Sequence, residues 1–226
     1  MTEYDERRIA MVESQLRPNA VTDVGLLAAM RDLPRERFLP EQLRGFAYMD
    51  EGIEVLPASE ASAARFLLSP MVQARLVQLA QITAQDAVLD LGCATGYSTA
   101  ILAQLAARVV GVEPEPELTE IADANLKALG LENADIVGHA FQDPPKDRGP
   151  YDAILVEGSV CEVPEALLHQ LKEGGRLVAV LTRAPNMRQG KACVFLRVEG
   201  EARGVSQFDA GAAPLPGLVP EPTFAF

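Results

Sequence analysis

The chain has 226 residues, 48% of them hydrophobic, and a formal net charge of −12. That length and composition can bury one substantial core, with room for a small appendage. The acidic balance excludes non-specific attachment to nucleic acid or to anionic membranes, both of which need clustered Lys and Arg.

The opening stretch MTEYDERRIAMVESQ is charged and lacks the apolar core of a signal peptide. Residues 4–46 read as short helices. Met11, Val12 and Leu16 share one face, and a second helix starts near Thr22 as N-cap, carrying Val24, Leu26, Leu27, Met30 and Leu33. Pro34 and Pro40 bracket RERFL, and residues 47–66, with PASEASAA, read as an irregular loop. Pro70 then opens a helical pattern, PMVQARLVQLAQI, in the first-turn position where its missing N–H costs nothing.

From residue 86 strands and helices alternate. Strand-like runs are AVLDL (87–91), RVVGVE (108–113), ADIVGH (134–139), YDAILVE (151–157) and GRLVAVL (175–181), with helix-like runs at 97–106, 116–129 and 163–171. That alternation implies right-handed βαβ units and a parallel sheet. KACVFLRVE (191–199) and RGVSQFD (203–209) follow with no helix between them and are expected to close one edge as an antiparallel hairpin. The Pro-rich tail AGAAPLPGLVPEPTFAF is expected to lie extended over the surface. The longest apolar stretch, around 100–112, is broken by Gln104 and Arg108 and is too short to span a bilayer. The expectation is an α/β, Rossmann-like doubly wound fold: a helical cap and loop (1–69), a core domain (70–210) and a tail (211–226). The protein is expected to be soluble, cytoplasmic and monomeric.

Ligands of an open parallel sheet bind beyond the carboxyl ends of the strands, where the strand order reverses. The turn after the first core strand, DLGCATGY, lies at that point, and Gly92 and Gly96 let the backbone approach a ligand without a Cβ clash. A nucleoside-triphosphate loop needs a G-K-[ST] ending, but Gly96 is followed by Tyr-Ser-Thr. A dinucleotide fingerprint needs glycine at 92, 94 and 97, but Ala94 and Tyr97 stand there, and the tyrosine takes the place of a diphosphate. A turn for S-adenosylmethionine has no phosphate to house. It begins with an acid at the strand end, here Asp90, which suits the methionine ammonium. Glu113 ends the next strand, where a carboxylate can accept from both ribose hydroxyls. Standing ahead of Pro114, it also reads as a helix-start acid. Cys93, Cys161 and Cys193 form no CxxC pair, and with His139 and His169 as the two histidines no metal site is expected.

The sequence resembles the protein-L-isoaspartate O-methyltransferases. MVESQLRPNAVTDVGLLAAMRDLPRERFLP, AYMD (47–50), VLDLGCATGYSTAILAQLAARVVGVE and PYDAILVEGSVCEVPEALLHQLKEGGRLVAV carry the likeness, which spans about residues 8 to 210. The resemblance implies a class I methyltransferase fold. It also implies methyl transfer from S-adenosylmethionine, leaving S-adenosylhomocysteine, to the free carboxylate of isoaspartyl residues in a peptide or protein, the first step of protein repair. Asp90, Gly92, Cys93, Ala94, Gly96, Tyr97 and Glu113 are then the cofactor residues. The family often reads G-D-G after its third strand, beside the adenine; here Gly138, His139 and Ala140 stand there, and His139 and Ala140 are candidates to flank that ring.

The segment before the core departs from the family. Where members carry a stretch like T-I-S-Q-P, this chain reads RFLLSP (65–70), with Leu68 at the hydroxyl position, Phe66 at the threonine and Ser69 displaced by one residue. Ser69 is the candidate to take over the hydroxyl's catalytic role, or else the N-cap of the helix Pro70 opens. Arg65 is a candidate partner for a substrate carboxylate. The alternatives these changes leave open are another carboxylate or small-molecule acceptor, and a cofactor-binding homologue without the reaction.

Overall fold

The computed structural model describes residues 2–60, 62–185 and 187–218. Helix α1 (Glu3–Met11) starts at a capping box: Thr2 Oγ1 accepts from the Asp5 N–H and Asp5 accepts from the Thr2 N–H. A π-helical turn (Val12–Leu16) and a short 3₁₀ turn carry the chain to α2 (Val24–Asp32). Asp23, not Thr22, caps α2, its carboxylate accepting from Leu26 N at 2.8 Å, and the helix stops two residues before Pro34. Two more 3₁₀ turns follow (Arg35–Phe38 and Glu41–Phe46). The expected loop over 47–66 instead contains β1 (Ile53–Leu56), paired antiparallel with β2 (Arg65–Leu67).

Helix α3 (Pro70–Ala80) has Ser69 as N-cap and Pro at its first position. The core then alternates as β3 (Ala87–Leu91), α4 (Tyr97–Ala103), β4 (Arg108–Val112), α5 (Pro116–Ala128), β5 (Ala134–Val137), β6 (Tyr151–Val160), α6 (Glu165–Leu168), β7 (Leu171–Leu181), β8 (Gln189–Val198) and β9 (Glu201–Gly211). The sheet order is β5-β4-β3-β6-β7-β8-β9, parallel through β7. The last two strands close the edge as the expected antiparallel hairpin. Their two-residue turn has Glu199 and Gly200 both at positive φ, the geometry that matches the twist of paired strands.

The mixed sheet with its antiparallel edge is the α/β class expected from the alternation. Two boundaries differ from expectation. The helix at 163–171 is one turn, because β7 begins already at Leu171, and β6 runs on to Val160. The described part of the tail, up to Leu218, is not a surface strap: Ala212, Leu215 and Leu218 are buried. Ser159 N donates to Ala213 O at 2.8 Å and Leu215 N donates back to Ser159 O at 2.9 Å, so the tail runs alongside the end of β6. Residues 219–226 lie outside the described residues. No helix among the described residues is long and apolar enough to cross a membrane.

The helical cap is packed onto the core by a buried cation. Arg35 is fully buried and donates to Ala47 O at 2.8 Å and to Leu68 O at 2.7 Å, with its guanidinium 4.7 Å from the Tyr97 ring centre. Thr95 Oγ1 adds a hydrogen bond to Phe38 O at 2.7 Å. The cap is thereby fastened to the turn that follows β3.

Candidate active site

β3 lies between β4 on one side and β6 on the other, which is the point where the strand order reverses. Each of these three strands brings an acid to its carboxyl half: Asp90 is the penultimate residue of β3, Glu113 directly follows β4, and Glu157 lies three residues before the end of β6. All three are buried. Buried carboxylates are costly unless hydrogen-bonded or paired, and each has found a different partner. Asp90 Oδ2 accepts from Ser98 Oγ at 2.7 Å and Thr99 Oγ1 at 2.6 Å, both on α4. Glu113 Oε2 accepts from Ala94 N at 2.9 Å and from Arg65 Nη2 at 2.8 Å. Glu157 Oε1 accepts from Gln73 Nε2 at 3.0 Å.

The charges follow from that burial. Burial raises the Asp90 carboxyl to about 6, against the hydrogen bonds from Thr99 and Ser98, while the Glu113 charge pushes it further up. Burial also pushes Glu113 up, opposed by Arg65 and the Ala94 N–H. Glu157 is driven well above the usual carboxylate range by burial and then by the charge of Asp90. The Cys93 thiol is likewise raised by burial and by its acidic neighbours, which leaves it inert.

The turn itself needs its glycines. Gly92 has φ +92° and Gly96 φ +90°, in the left-handed region, and Ala94 between them sits at φ +49°. A Cβ on Gly92 would lie 2.7 Å from a Leu215 methyl, and one on Gly96 would lie 3.1 Å from Ala122 Cβ. Tyr97 is wholly buried and turned toward the cap, edge-on to Phe38 at 5.2 Å, so its bulk anchors the cap.

Asp90, Gly92, Ala94, Glu113 and Arg65 come together at this turn. Arg65 reaches it from β2, donating from Nη2 to Gly92 O at 3.1 Å as well as to Glu113, with its guanidinium carbon 5.0 Å from the Phe141 ring centre. Side-chain exposures of 2% and 0% make Arg65 and Glu113 a fully buried ion pair. The expected substrate-side arginine therefore lies on the cofactor-side acid. His139 and Ala140 are exposed, whereas the next residue, Phe141, is buried against Arg65. Leu68 is buried in the core, and Ser69 Oγ accepts from Val72 N at 3.4 Å as the cap of α3.

Four residues that sequence reading missed complete the picture. Glu157 repeats the acid-near-strand-end pattern of Asp90 and Glu113, a signal present in the sequence. Phe141, Gln73 and Leu215 carry no such signal, since only the fold brings them to the turn.

A family model for protein-L-isoaspartate(D-aspartate) O-methyltransferase matches residues 6–201. The chain belongs to this family. A protein-L-isoaspartate O-methyltransferase of Methanoculleus marisnigri is 39% identical over 173 residues, 76% of each chain. A second, from an Anaeromyxobacter species, is 36% identical over 204 residues, 90% of this chain and 79% of its own. Among solved structures, a protein-L-isoaspartate O-methyltransferase superposes with a TM-score of 0.80 at 26% identity, covering 94% of this chain and 67% of that one. The fold is also that of the Plasmodium falciparum protein solved in complex with S-adenosyl-L-homocysteine, with a TM-score of 0.73 at 19% identity, covering 95% of this chain and 99% of that one. The enzyme class and donor read from the glycine turn, an S-adenosylmethionine-dependent methyltransferase, are those of the family.

The residues at the turn fit that donor. Asp90 Oδ1 is buried without a hydrogen-bond partner among the described residues, which suits an ammonium. Gly92 brings the backbone close to the turn, where a Leu215 methyl now covers it, and Glu113, the acid a ribose diol would meet, is now held by Arg65.

Proposed function

We propose that the protein methylates the free carboxylate of L-isoaspartyl residues in peptides or aged proteins, the first step of their repair. The family match over residues 6–201 carries the acceptor of this reading, and Asp90 supports its donor: a buried carboxylate near the strand end with one oxygen fixed by two hydroxyls and the other without a partner among the described residues, beside two glycines at positive φ.

When bound, S-adenosylmethionine supplies an electrophilic methyl group on a sulfonium. Asp90 holds the donor's ammonium and Glu113 its ribose hydroxyls. For Glu113 to serve both hydroxyls, Arg65 must give up its contact with that carboxylate, and Leu215 must yield the space over Gly92. The buried surroundings of the turn exclude water. The acceptor carboxylate is ionised at neutral pH, so the chain needs no strong base, and its contribution is alignment and desolvation. The Asp90, Cys93 and Glu157 environments suit that division of labour, since none of these groups is set up as a nucleophile.

Incubation of an isoaspartyl peptide with the protein and S-adenosylmethionine tests the reading by chromatography. Progressive conversion to the normal aspartyl isomer, through the methyl ester and its succinimide, is expected; an unchanged isoaspartyl peak sinks it. Leu68 at the family's hydroxyl position favours a second reading, the same donor with a different carboxylate acceptor. Methylation of cell extract without methylation of the isoaspartyl peptide would select it.

A further inference from the structure

A cleft of about 480 Å³ opens beside the divergent segment and is floored by Phe66, Leu68 and Ser69. Phe66, Leu68 and Ala213 also line a small hollow with Arg65, Glu157 and Leu215, so the cleft lies against residues at the donor turn. Among the described residues, its charged lining is Asp50, Glu51, Asp209 and one cation, Arg188. Asp50 is engaged in capping α3 through Met71 N at 3.0 Å, and Asp209 is paired with Lys191 at 2.6 Å. Arg188 is exposed and stacks 4.9 Å above the Phe66 ring, and it makes no side-chain hydrogen bond or ion pair among the described residues. Its main chain is held by the hydrogen bond from Ala212 N to Arg188 O at 2.8 Å.

We infer that Arg188, mounted on Phe66, is the substrate-binding residue that grips the acceptor's carboxylate in this cleft. The inference rests on the carboxylate-acceptor reading above. An anionic acceptor approaching a chain of net charge −12 needs a local cation, and Arg188 is the one this cleft provides. Stacking uses the face of a guanidinium and leaves its in-plane N–H donors free for a bidentate contact with a carboxylate. Asp50 and Glu51 disfavour a carboxylate beside them, and Asp209 is already paired with Lys191, which leaves Arg188 as the favourable point for a carboxylate in the cleft. Phe66 stands where the resemblance places a threonine, and Arg188 packs on its ring, so the two side chains act together at this acceptor site.

The test uses the S-adenosylhomocysteine-loaded protein and a fluorescently labelled isoaspartyl peptide, against the same peptide with that carboxyl amidated. Wild-type protein is expected to prefer the carboxylate form. Arg188→Ala should erase the preference, weakening carboxylate binding by about 10–100-fold, as for a lost charge-assisted hydrogen bond. Arg188→Lys should recover part of it, and affinity for S-adenosylhomocysteine should not change. In turnover the same variant should raise the acceptor's KM with little change in kcat. A carboxylate preference that survives in Arg188→Ala overturns the assignment of Arg188 alone. Carboxylate preference lost in Arg188→Ala, with no methyl transfer by the wild type, supports Arg188 and overturns the isoaspartyl reading. No preference in the wild type, with or without transfer, overturns Arg188.

Discussion

The donor side and the acceptor side of this site are built in different ways. At the donor turn, Asp90 and Gly92 lie at the carboxyl end of β3 and Glu113 directly after its neighbour β4. Most of their hydrogen bonds come from nearby main chain or from hydroxyls of the adjoining helix, with Arg65 on Glu113 the long-range exception. At the acceptor side, the contacts of residues 65–70 come from far away in sequence: Arg65 with Glu113, Phe66 with Arg188, Leu68 O with Arg35. Backbone geometry fixes the first region, and side chains from across the chain fix the second. A family can therefore keep its donor turn while its acceptor segment drifts, provided the distant partners drift too.

The sharpest way to break that contrast is at the one residue both regions share. Glu113→Ala leaves Arg65 buried without its partner and should cost about 3–5 kcal/mol in urea denaturation. It should also weaken S-adenosylhomocysteine binding by about 1.5–3 kcal/mol. Retained stability would mean that the Arg65–Glu113 pair does not hold β2 to the turn; retained affinity would remove Glu113 from the donor site.

Leu215→Ala separates the tail from the turn it covers. The loss of a buried side chain should cost about 2–4 kcal/mol of stability, while affinity for S-adenosylhomocysteine should rise, because the tail no longer competes for the space over Gly92. Weaker binding in calorimetry would instead make Leu215 a wall of the donor site.

A smaller effect comes from pH. With its carboxyl at about 6, Asp90 is ionised above that value and can then hold an ammonium. Affinity for S-adenosylhomocysteine should therefore be flat above about pH 7 and fall by about 1.4 kcal/mol per unit below 6. The ligand-free protein should show the opposite trend. A carboxyl raised in the folded state adds stability that is present below its ordinary value of 3.8 and lost as pH rises through about 6. Calorimetry from pH 5 to 8 reads the first trend, and a flat profile would remove Asp90 as the ammonium partner.

The smallest effect is expected at Ser69. Ser69→Ala should cost about 1 kcal/mol through loss of the α3 cap, and Ser69→Asn should restore it. Transfer per folded molecule should stay within about twofold in both. A fall in turnover with Ser69→Asn at undiminished stability would give the hydroxyl a part in positioning the acceptor.

How much of this was legible in the sequence follows the same division. The core strands were readable because buried parallel strands are short apolar runs separated by helices. Asp90, Gly92 and Glu113 were readable because an acid at a strand end and glycines in the next turn are local patterns. Glu157, an acid followed by glycine near the end of β6, carried a related local signature. The short strands β1 and β2 were hidden, since three or four residues paired across a loop leave no periodicity. The tail's alanines and prolines resemble a surface strap, yet Ala212, Leu215 and Leu218 are covered once the end of β6 lies alongside them. Arg65 could not be placed, because its partner is 48 residues away and only the β1–β2 pairing delivers it there.

The most direct test of the whole account is methyl transfer from labelled S-adenosylmethionine to an L-isoaspartyl peptide, run beside its normal aspartyl isomer, with label counted as methanol after base treatment. Release from the isoaspartyl peptide alone is the predicted result, and would mean that a donor turn of the family's kind works with an acceptor segment rebuilt around Leu68 and Phe66. Equal release from both peptides, or none from either, would contradict it.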